Sequence, residues 1–135
     1  MKKFLGVKLI TAEPQVKDNV DGYKVVYEDN YVSWSPKDVF EKAYRQIENL
    51  NFGLAVEAAK TGKKVARKGW NGNNMYAYIV PAASYPAQTE VAKKEFGDMV
   101  PYRAYWALKT AQNDVATWAP SGSDSLAEDW MIVEN

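Results

Sequence analysis

Residues 51–72 read NFGLAVEAAKTGKKVARKGWNG, and this stretch decides the fold. Asn51 is a good N-cap, because its side-chain oxygen can accept a free N–H of a first helical turn. Leu54, Ala55, Ala58 and Ala59 recur at the three-and-four spacing of one buried helix face. Gly62 falls at the C′ position, where a left-handed conformation costs least. Lys60, Lys63 and Lys64 cluster at the negative end of the helix dipole. Val65, Ala66 and Arg67 open a strand, which Trp70-Asn71-Gly72 ends with an Asn-Gly turn signal. The expected unit is helix, tight stop, strand and turn.

Working outward toward the N-terminus, FLGVKLIT at 4–11 is a β-like run and AEPQVKDNVDG at 12–22 reads as a polar loop. Residues 23–27 and 31–34 read as a hairpin turning at Glu28-Asp29-Asn30. Ser35 is the expected N-cap of the next helix, with Pro36 at N1 and Asp38 completing a capping box. Phe40, Ala43, Tyr44 and Ile47 form its apolar face. Toward the C-terminus, MYAYIV at 75–80 is a strand that pairs back through residues 71–74. Residues 81–97, PAASYPAQTEVAKKEFG, read as a long polar loop carrying Tyr85, and loops of this length are usually functional or disordered. YRAYWALKT at 102–110 is a strand, 112–114 a turn and 115–119 the returning strand. Ser121-x-x-Asp124 and Ser125-x-x-Glu128 are overlapping capping boxes for one short helical turn. Residues 130–133 close the sheet, with Leu126, Trp130 and Ile132 in the core. The fold class is therefore α+β: an antiparallel sheet of about five strands with one or two short helices over 49–135, preceded by a hairpin–helix extension over 1–48.

Composition limits the chemistry. At 135 residues the chain can bury a core without a metal or disulfide staple. Its 17 basic and 17 acidic residues cancel, which argues against a duplex-DNA protein with a broad basic surface. There is no His and no Cys. That removes Ser-His-Asp and Cys-His catalysis and zinc sites built on either residue. Carboxylate-held magnesium needs a dense acidic cluster, and none is visible. No cofactor, metal or catalytic group is expected. No apolar run approaches membrane-spanning length, and MKKFLGVKLITAEP lacks the apolar core of a signal peptide, so a cytosolic protein is expected. Five Trp and nine Tyr are first of all core material, and they are also what stacks a planar base.

The segment FGLAVEAAKTGKKVARKGWNG resembles the opening of a small phage domain long described only as one of unknown function. WAPSGSDSLAEDWMIVEN, from Trp118 onward, resembles its closing motif, a Trp followed by a Ser/Asp turn and LAEDW. The resemblance covers residues 51–135 with a divergent middle. It is to the phage anti-Thoeris sponges, read here as Thoeris anti-defence one-like. It implies a protein that binds a cyclic ADP-ribose-type immune signal, glycocyclic ADP-ribose, without cleaving it, in the cytoplasm of the infected host. It also implies a homodimer as the basic unit, with the ligand at a subunit interface. Some members are hexamers that hold cyclic oligonucleotides. The N-terminal segment resembles an extension fused to the domain in some phage proteins.

The candidate ligand-binding residues each have two readings. The turn around Asn71 can cradle a phosphate with backbone N–H groups, or it is a plain hairpin turn with Trp70 in the core. Arg67 and Lys63, Lys64 and Lys68 can neutralise phosphates, or they form a solvated face. Arg103 and Lys109, six apart in one regular strand, share a face about 20 Å apart. They cannot grip one small phosphate pair unless a second subunit closes the gap. Arg103 suits a pyrophosphate through its planar fork, and in the family the matching Tyr-Arg follows the ligand-covering loop. Lys109-Thr110 resembles the family's Lys-Thr-Ala-Asp turn, although Gln112 stands fourth here. Tyr85 falls where the family stacks an aromatic on the base, or it covers the domain's own core. Gln88 or Thr89 occupies the place of the family's Asn. Trp118, Ser121, Ser123 and Asp124 match the closing motif. The free N–H groups of that first turn offer an anion site and Asp124 can accept from ribose hydroxyls or the adenine amino group, or Ser121 and Ser123 simply cap the turn. The rival readings are a single-stranded nucleic-acid binder using the same aromatics and a phage structural or accessory protein.

Overall fold

Asp18 and Asn19 both hold a positive φ, 51° and 63°. A two-residue turn of this kind matches the twist of paired strands. The chain therefore folds back between strands β1 (Thr11–Lys17) and β2 (Val20–Val26), with Lys17 opposite Val20. Asn30, φ 68°, turns it again into β3 (Val32–Pro36), giving the three-stranded sheet β1-β2-β3. The computed structural model describes residues 1–134 and divides into two compact units, Met1–Gln46 and Ile47–Asn135.

Four expectations for the first unit are corrected. Residues 12–22 are not a loop. They form β1 and the start of β2, where Pro14 is tolerated because β1 is an edge strand. Residues 4–10 form no regular element, so the expected strand begins at its last position, Thr11. Ser35 does not cap helix α1 (Lys37–Ala43), because it is paired with Tyr23 in the sheet and its hydroxyl donates to the Pro36 carbonyl. Pro36 is the N-cap and makes no side-chain cap bond, so no capping box forms with Asp38. Phe40 stacks between Tyr23 and Tyr44 at 4.2 and 4.9 Å, while Ala43 is exposed and Tyr44 already lies beyond the helix. Gly22 is required by close approach. A Cβ there would lie 2.4 Å from both the Trp34 ring and the Ser35 carbonyl oxygen.

The second unit follows the organising stretch. Asn51 accepts the Leu54 N–H at 2.9 Å and caps α2 (Phe52–Lys60), whose Ala55 and Ala59 are buried. Gly62, φ 93°, ends it, and β4 (Lys64–Arg67) begins. The next turn is not a two-residue Asn-Gly hairpin. A helical turn, α3 (Lys68–Asn71), comes first, and the left-handed residue is Asn74 (φ 54°), not Gly72. Strand β5 (Tyr76–Val80) then pairs with β4.

Residues 81–97 are not a loop either. They form β6 (Ala83–Pro86) and helix α4 (Glu90–Phe96), and β7 (Met99–Tyr102) returns antiparallel to β6. The expected strand over 102–110 breaks at Arg103-Ala104, and β8 (Tyr105–Lys109) resumes. One register runs through all four strands. Tyr76 faces Lys109 and Val80 faces Tyr105; past a two-residue gap on each side, Ala83 faces Tyr102 and Pro86 faces Met99. The β6–β7 ribbon is thus a continuation of the β5–β8 hairpin, interrupted beside Pro81, which has no N–H to donate. Thr89 caps α4 through the Ala92 N–H, and Gly97, φ 87°, ends it.

Strand β9 (Val115–Thr117), helix α5 (Gly122–Leu126) and strand β10 (Trp130–Val133) complete the sheet β10-β4-β5-β8-β9. The fold is α+β, as expected. The core lies on one sheet face, where Val65, Ala77, Trp130 and Ile132 meet Ala55 and Ala59 of α2. Trp130 is fully buried. Leu126 is not core: it is 83% exposed at the end of α5. The Ser125 capping box does not form, because Ser125 lies inside α5 and its hydroxyl donates to the Gly122 carbonyl. Among the described residues no helix is long and apolar enough to cross a membrane.

Candidate functional site

The last residue of β4 points its guanidinium at the end of the sheet where α5 begins. Arg67 Nε donates to Asp129 Oδ1 at 2.9 Å, and Nη1 donates to Asp124 Oδ1 at 3.2 Å. The other oxygen of Asp124 accepts the Ser121 N–H at 2.9 Å, while Ser121 Oγ accepts the Asp124 N–H at 3.0 Å. The Ser121–Asp124 capping box is therefore complete. The Asp124 carbonyl accepts the Trp130 indole N–H at 2.7 Å. Partial burial pushes the Asp124 carboxyl up. The Ser121 N–H and hydroxyl, then the Arg67 guanidinium, outweigh burial and hold it below the ordinary carboxylate range. Arg67 is raised, first by its bond to Asp129.

Behind this corner stands a cluster of rings. Trp70 meets Trp118 edge-on at 5.6 Å and Trp130 at 5.3 Å. Trp118 meets Trp106 at 5.2 Å, and Phe52 lies 5.1 Å from Trp130. Trp70 and Trp118 are half-buried, so each keeps an accessible edge. Trp118 is in the first place a packing residue here.

The structure divides the expected residues into two groups. Arg67, Asn71, Trp118, Ser121, Asp124, Lys109 and Thr110 belong to one connected region. Asn71 ends α3, and its carbonyl accepts the Asn74 N–H. Lys109 Nζ donates to the Asn74 carbonyl at 3.0 Å, which ties β8 to the same turn. The Thr110 hydroxyl donates to the Asp114 carboxylate and accepts the Gln112 N–H, so Thr110 shapes its own turn. Ser123 is exposed on α5.

Tyr85 and Arg103 stand apart. Tyr85 lies on the ribbon and Arg103 just beyond its base, both past the end of β5, whereas Lys109 is level with Tyr76 at its start. Nine residues separate Tyr76 from Tyr85, about 30 Å along extended strands. Tyr85 is half-buried; its hydroxyl donates to the Pro81 carbonyl at 3.1 Å and its ring meets Tyr102 edge-on. Arg103 is exposed in the break between β7 and β8, which removes the premise of one regular strand shared with Lys109.

The geometry constrains the chemistry. The Asp124 carboxylate occupies the start of α5, where an incoming phosphate would need to sit, and like charges repel there. That corner suits hydroxyl or amine donors of a ligand. Lys109, Lys68 and Arg103 are the cations near the two groups that are not held by a carboxylate in the contacts described. Sequence reading missed Asp129, which shares Arg67 and lies in LAEDW, and Asn74, whose Asn in a glycine-rich turn was the available signal. Among the described residues no group of three or more acidic residues is placed to hold a metal ion.

Comparison with known proteins bears on residues 50–133, which match the family model of the Thoeris anti-defense 2-like (Tad2-like) domain. A curated protein named Thoeris anti-defense 2, from Bacillus phage SP01, is 36% identical over 84 residues, covering 62% of this chain and 94% of that protein. The resemblance to the anti-Thoeris proteins thus holds, but its assignment to the one-like members is corrected. Through residues 50–133 the chain belongs to the Thoeris anti-defense 2-like family.

Proposed function

We propose that this chain counters Thoeris defence inside an infected host by binding a cyclic ADP-ribose-type signal, such as glycocyclic ADP-ribose, and holding it intact. The observation that carries this reading is the alignment with 94% of a phage protein whose name is Thoeris anti-defense 2. The mechanism is equilibrium capture. To silence a signal at nanomolar to micromolar levels, the dissociation constant must be nanomolar or lower, about 12 kcal/mol of binding free energy. That affinity for a small anion requires near-complete enclosure and charge-assisted contacts.

The parts fit this task if two copies share the site. Edges of Trp70 and Trp118 offer an apolar wall for a base. Asp124 and Asp129 offer acceptors for ribose hydroxyls. Lys109 of one copy and Arg103 of another meet the phosphates, with Tyr85 beside Arg103. Neither His nor Cys is available for bond cleavage, which favours binding over catalysis. The test is to incubate the protein with a panel of cyclic ADP-ribose isomers and cyclic oligonucleotides, denature it and identify what returns. Intact cyclic ADP-ribose isomer is expected. Recovery of ADP-ribose or a nucleoside monophosphate makes the chain an enzyme and ends this reading.

A further inference from the structure

In the first unit, β1 is an edge strand, and its ladder with β2 stops at Thr11 opposite Val26. Beyond that pair β2 turns away, with the Tyr27 N–H donating to the Tyr31 carbonyl at 2.9 Å. The chain on the β1 side therefore runs past its partner. Residues 4–9, FLGVKL, make no backbone hydrogen bond among the described residues. Phe4, Leu5, Val7 and Leu9 are 91%, 100%, 55% and 41% exposed. The root of the segment is held in place: Ile10 is half-buried, and Lys8 Nζ lies 4.8 Å over the Tyr27 ring. An apolar segment with open N–H and C=O groups is a template for a further strand.

The residue order selects the strand that fits. In an extended chain Leu5, Val7 and Leu9 share one side. The segment can pair antiparallel with a second copy of itself about Gly6, Val7 or Lys8. About Gly6, Phe4 faces Lys8 and two glycines meet, with nothing to pack. About Lys8, two cations meet directly, which destabilises the pair. About Val7, each Leu5 faces a Leu9, Val7 faces Val7, and each Phe4 faces an Ile10. Lys8 then faces only Gly6. On the leucine side, Lys3 of each copy is diagonal to Glu13 of the other, within reach of long side chains. Apolar pairing and charge pairing agree on one register.

We propose that residues 4–10 are a pairing strand, which joins the first units of two copies antiparallel about Val7. The contact is isologous and closes at two copies. The family match begins at residue 50, so this strand lies outside the matched domain. The pairing needs no residue of the second unit and no ligand. It stands whether or not the chain captures a nucleotide, and a failed capture experiment leaves it untouched.

The full chain has no Cys, so engineered thiols report without background. Val7→Cys sets two thiols directly opposite each other. Val16→Cys, at a position 63% exposed on β1, leaves them far apart. Under mild oxidation, Val7→Cys is expected to form a disulfide dimer on a non-reducing gel about tenfold faster than Val16→Cys. In the wild-type chain at tens of micromolar, the amides of residues 4–9 are expected to be protected from exchange. Val7→Lys opposes two cations and is expected to release that protection about tenfold, while β4 and β10 stay unchanged. Free-chain exchange at residues 4–9 overturns the proposal. So does protection that survives Val7→Lys. Protection without the Val7→Cys link overturns it too, because the strand is then covered within one chain. Protection that appears only with vesicles of phosphatidylcholine and phosphatidylserine replaces the second copy with an anionic lipid surface.

Discussion

Arg67 and Asp124 stand 57 positions apart in the chain and share a hydrogen bond of 3.2 Å. The bond joins the end of β4 to the first turn of α5. The same aspartate caps that turn with its side chain and receives the Trp130 indole N–H with its carbonyl. One residue therefore fixes a strand end, a helix start and the largest fully buried side chain.

Substituting Asp124→Ala is expected to lower unfolding stability by about 2 kcal/mol. It removes a cap acceptor and one charge-assisted bond of Arg67, while Asp129 keeps the other. Ser121→Ala is expected to cost about 1 kcal/mol, because only the hydroxyl cap is lost. Urea denaturation of both variants checks the order. A midpoint for Asp124→Ala equal to wild type removes the clamp from the account.

The same carboxylate sets a pH dependence. Its folded pKa is depressed, so the unfolded chain binds the proton more readily. The stabilisation is fully present above the unfolded carboxylate value near 3.9 and is lost as pH falls through the folded value below it. Wild-type stability is expected to drop more steeply below about pH 4 than that of Asp124→Asn. Parallel curves for the two proteins in urea titrations from pH 6 to pH 2.5 count against this.

What the sequence disclosed was local. Asn51 and Gly62 were legible because a cap and a left-handed stop depend on a few neighbouring residues. The Ser121–Asp124 box was legible for the same reason. The β6–β7 ribbon with α4 was not, because Pro81, Pro86 and a polar composition read as loop, and only the distant β7 and β8 reveal the shared register. Its helix did leave a local trace in Thr89 and Gly97, a cap and a stop seven residues of helix apart. Strand β1 was hidden by being exposed along its whole length, so no alternation of burial marked it. In the site, the partners of Arg67 lie 57 and 62 positions away, beyond any local pattern.

Gly22→Ala tests the first unit alone. The added methyl would sit 2.4 Å from the Ser35 carbonyl oxygen, which is backbone and cannot swing aside. A loss of about 2 kcal/mol or more is expected, as for other strained or overpacked sites. Amide exchange should rise in β2 and β3 and stay unchanged in β4 and β10. A variant with wild-type protection throughout would show that the close approach is absent in solution.

Ala55→Leu tests the packing of α2 on the sheet. Ala55 is fully buried in the core cluster with Val65, Ala77 and Trp130. Three added carbons have no space there, so a loss of about 1–3 kcal/mol is expected. Exposed Gly53→Ala in the same helix is expected to be neutral or stabilising, because it raises helix propensity and a Cβ meets nothing closer than 3.6 Å. If Ala55→Leu is as stable as wild type, the helix does not pack on the sheet this tightly.

The separation of Arg103 from Lys109 makes the shared site testable by mixing. If one ligand touches both, the two side chains come from different copies. Arg103→Ala alone and Lys109→Ala alone are each expected to lose capture, because each leaves a phosphate oxygen without its charged donor. In a mixed dimer the two substitutions fall in one site, and the other site is intact. Half of randomly exchanged dimers are mixed, so about a quarter of all sites should recover. The measurement is ligand retained after equimolar mixing and re-equilibration of the two variants, counted by isothermal titration. Recovery near a quarter, at wild-type affinity, supports a site built across copies. No recovery, with subunit exchange verified by mixed tags, places both residues in one chain's site or in none. If instead each single variant keeps wild-type affinity, neither cation meets the ligand, and the corner formed by Trp70, Trp118 and Asp124 becomes the place to substitute next.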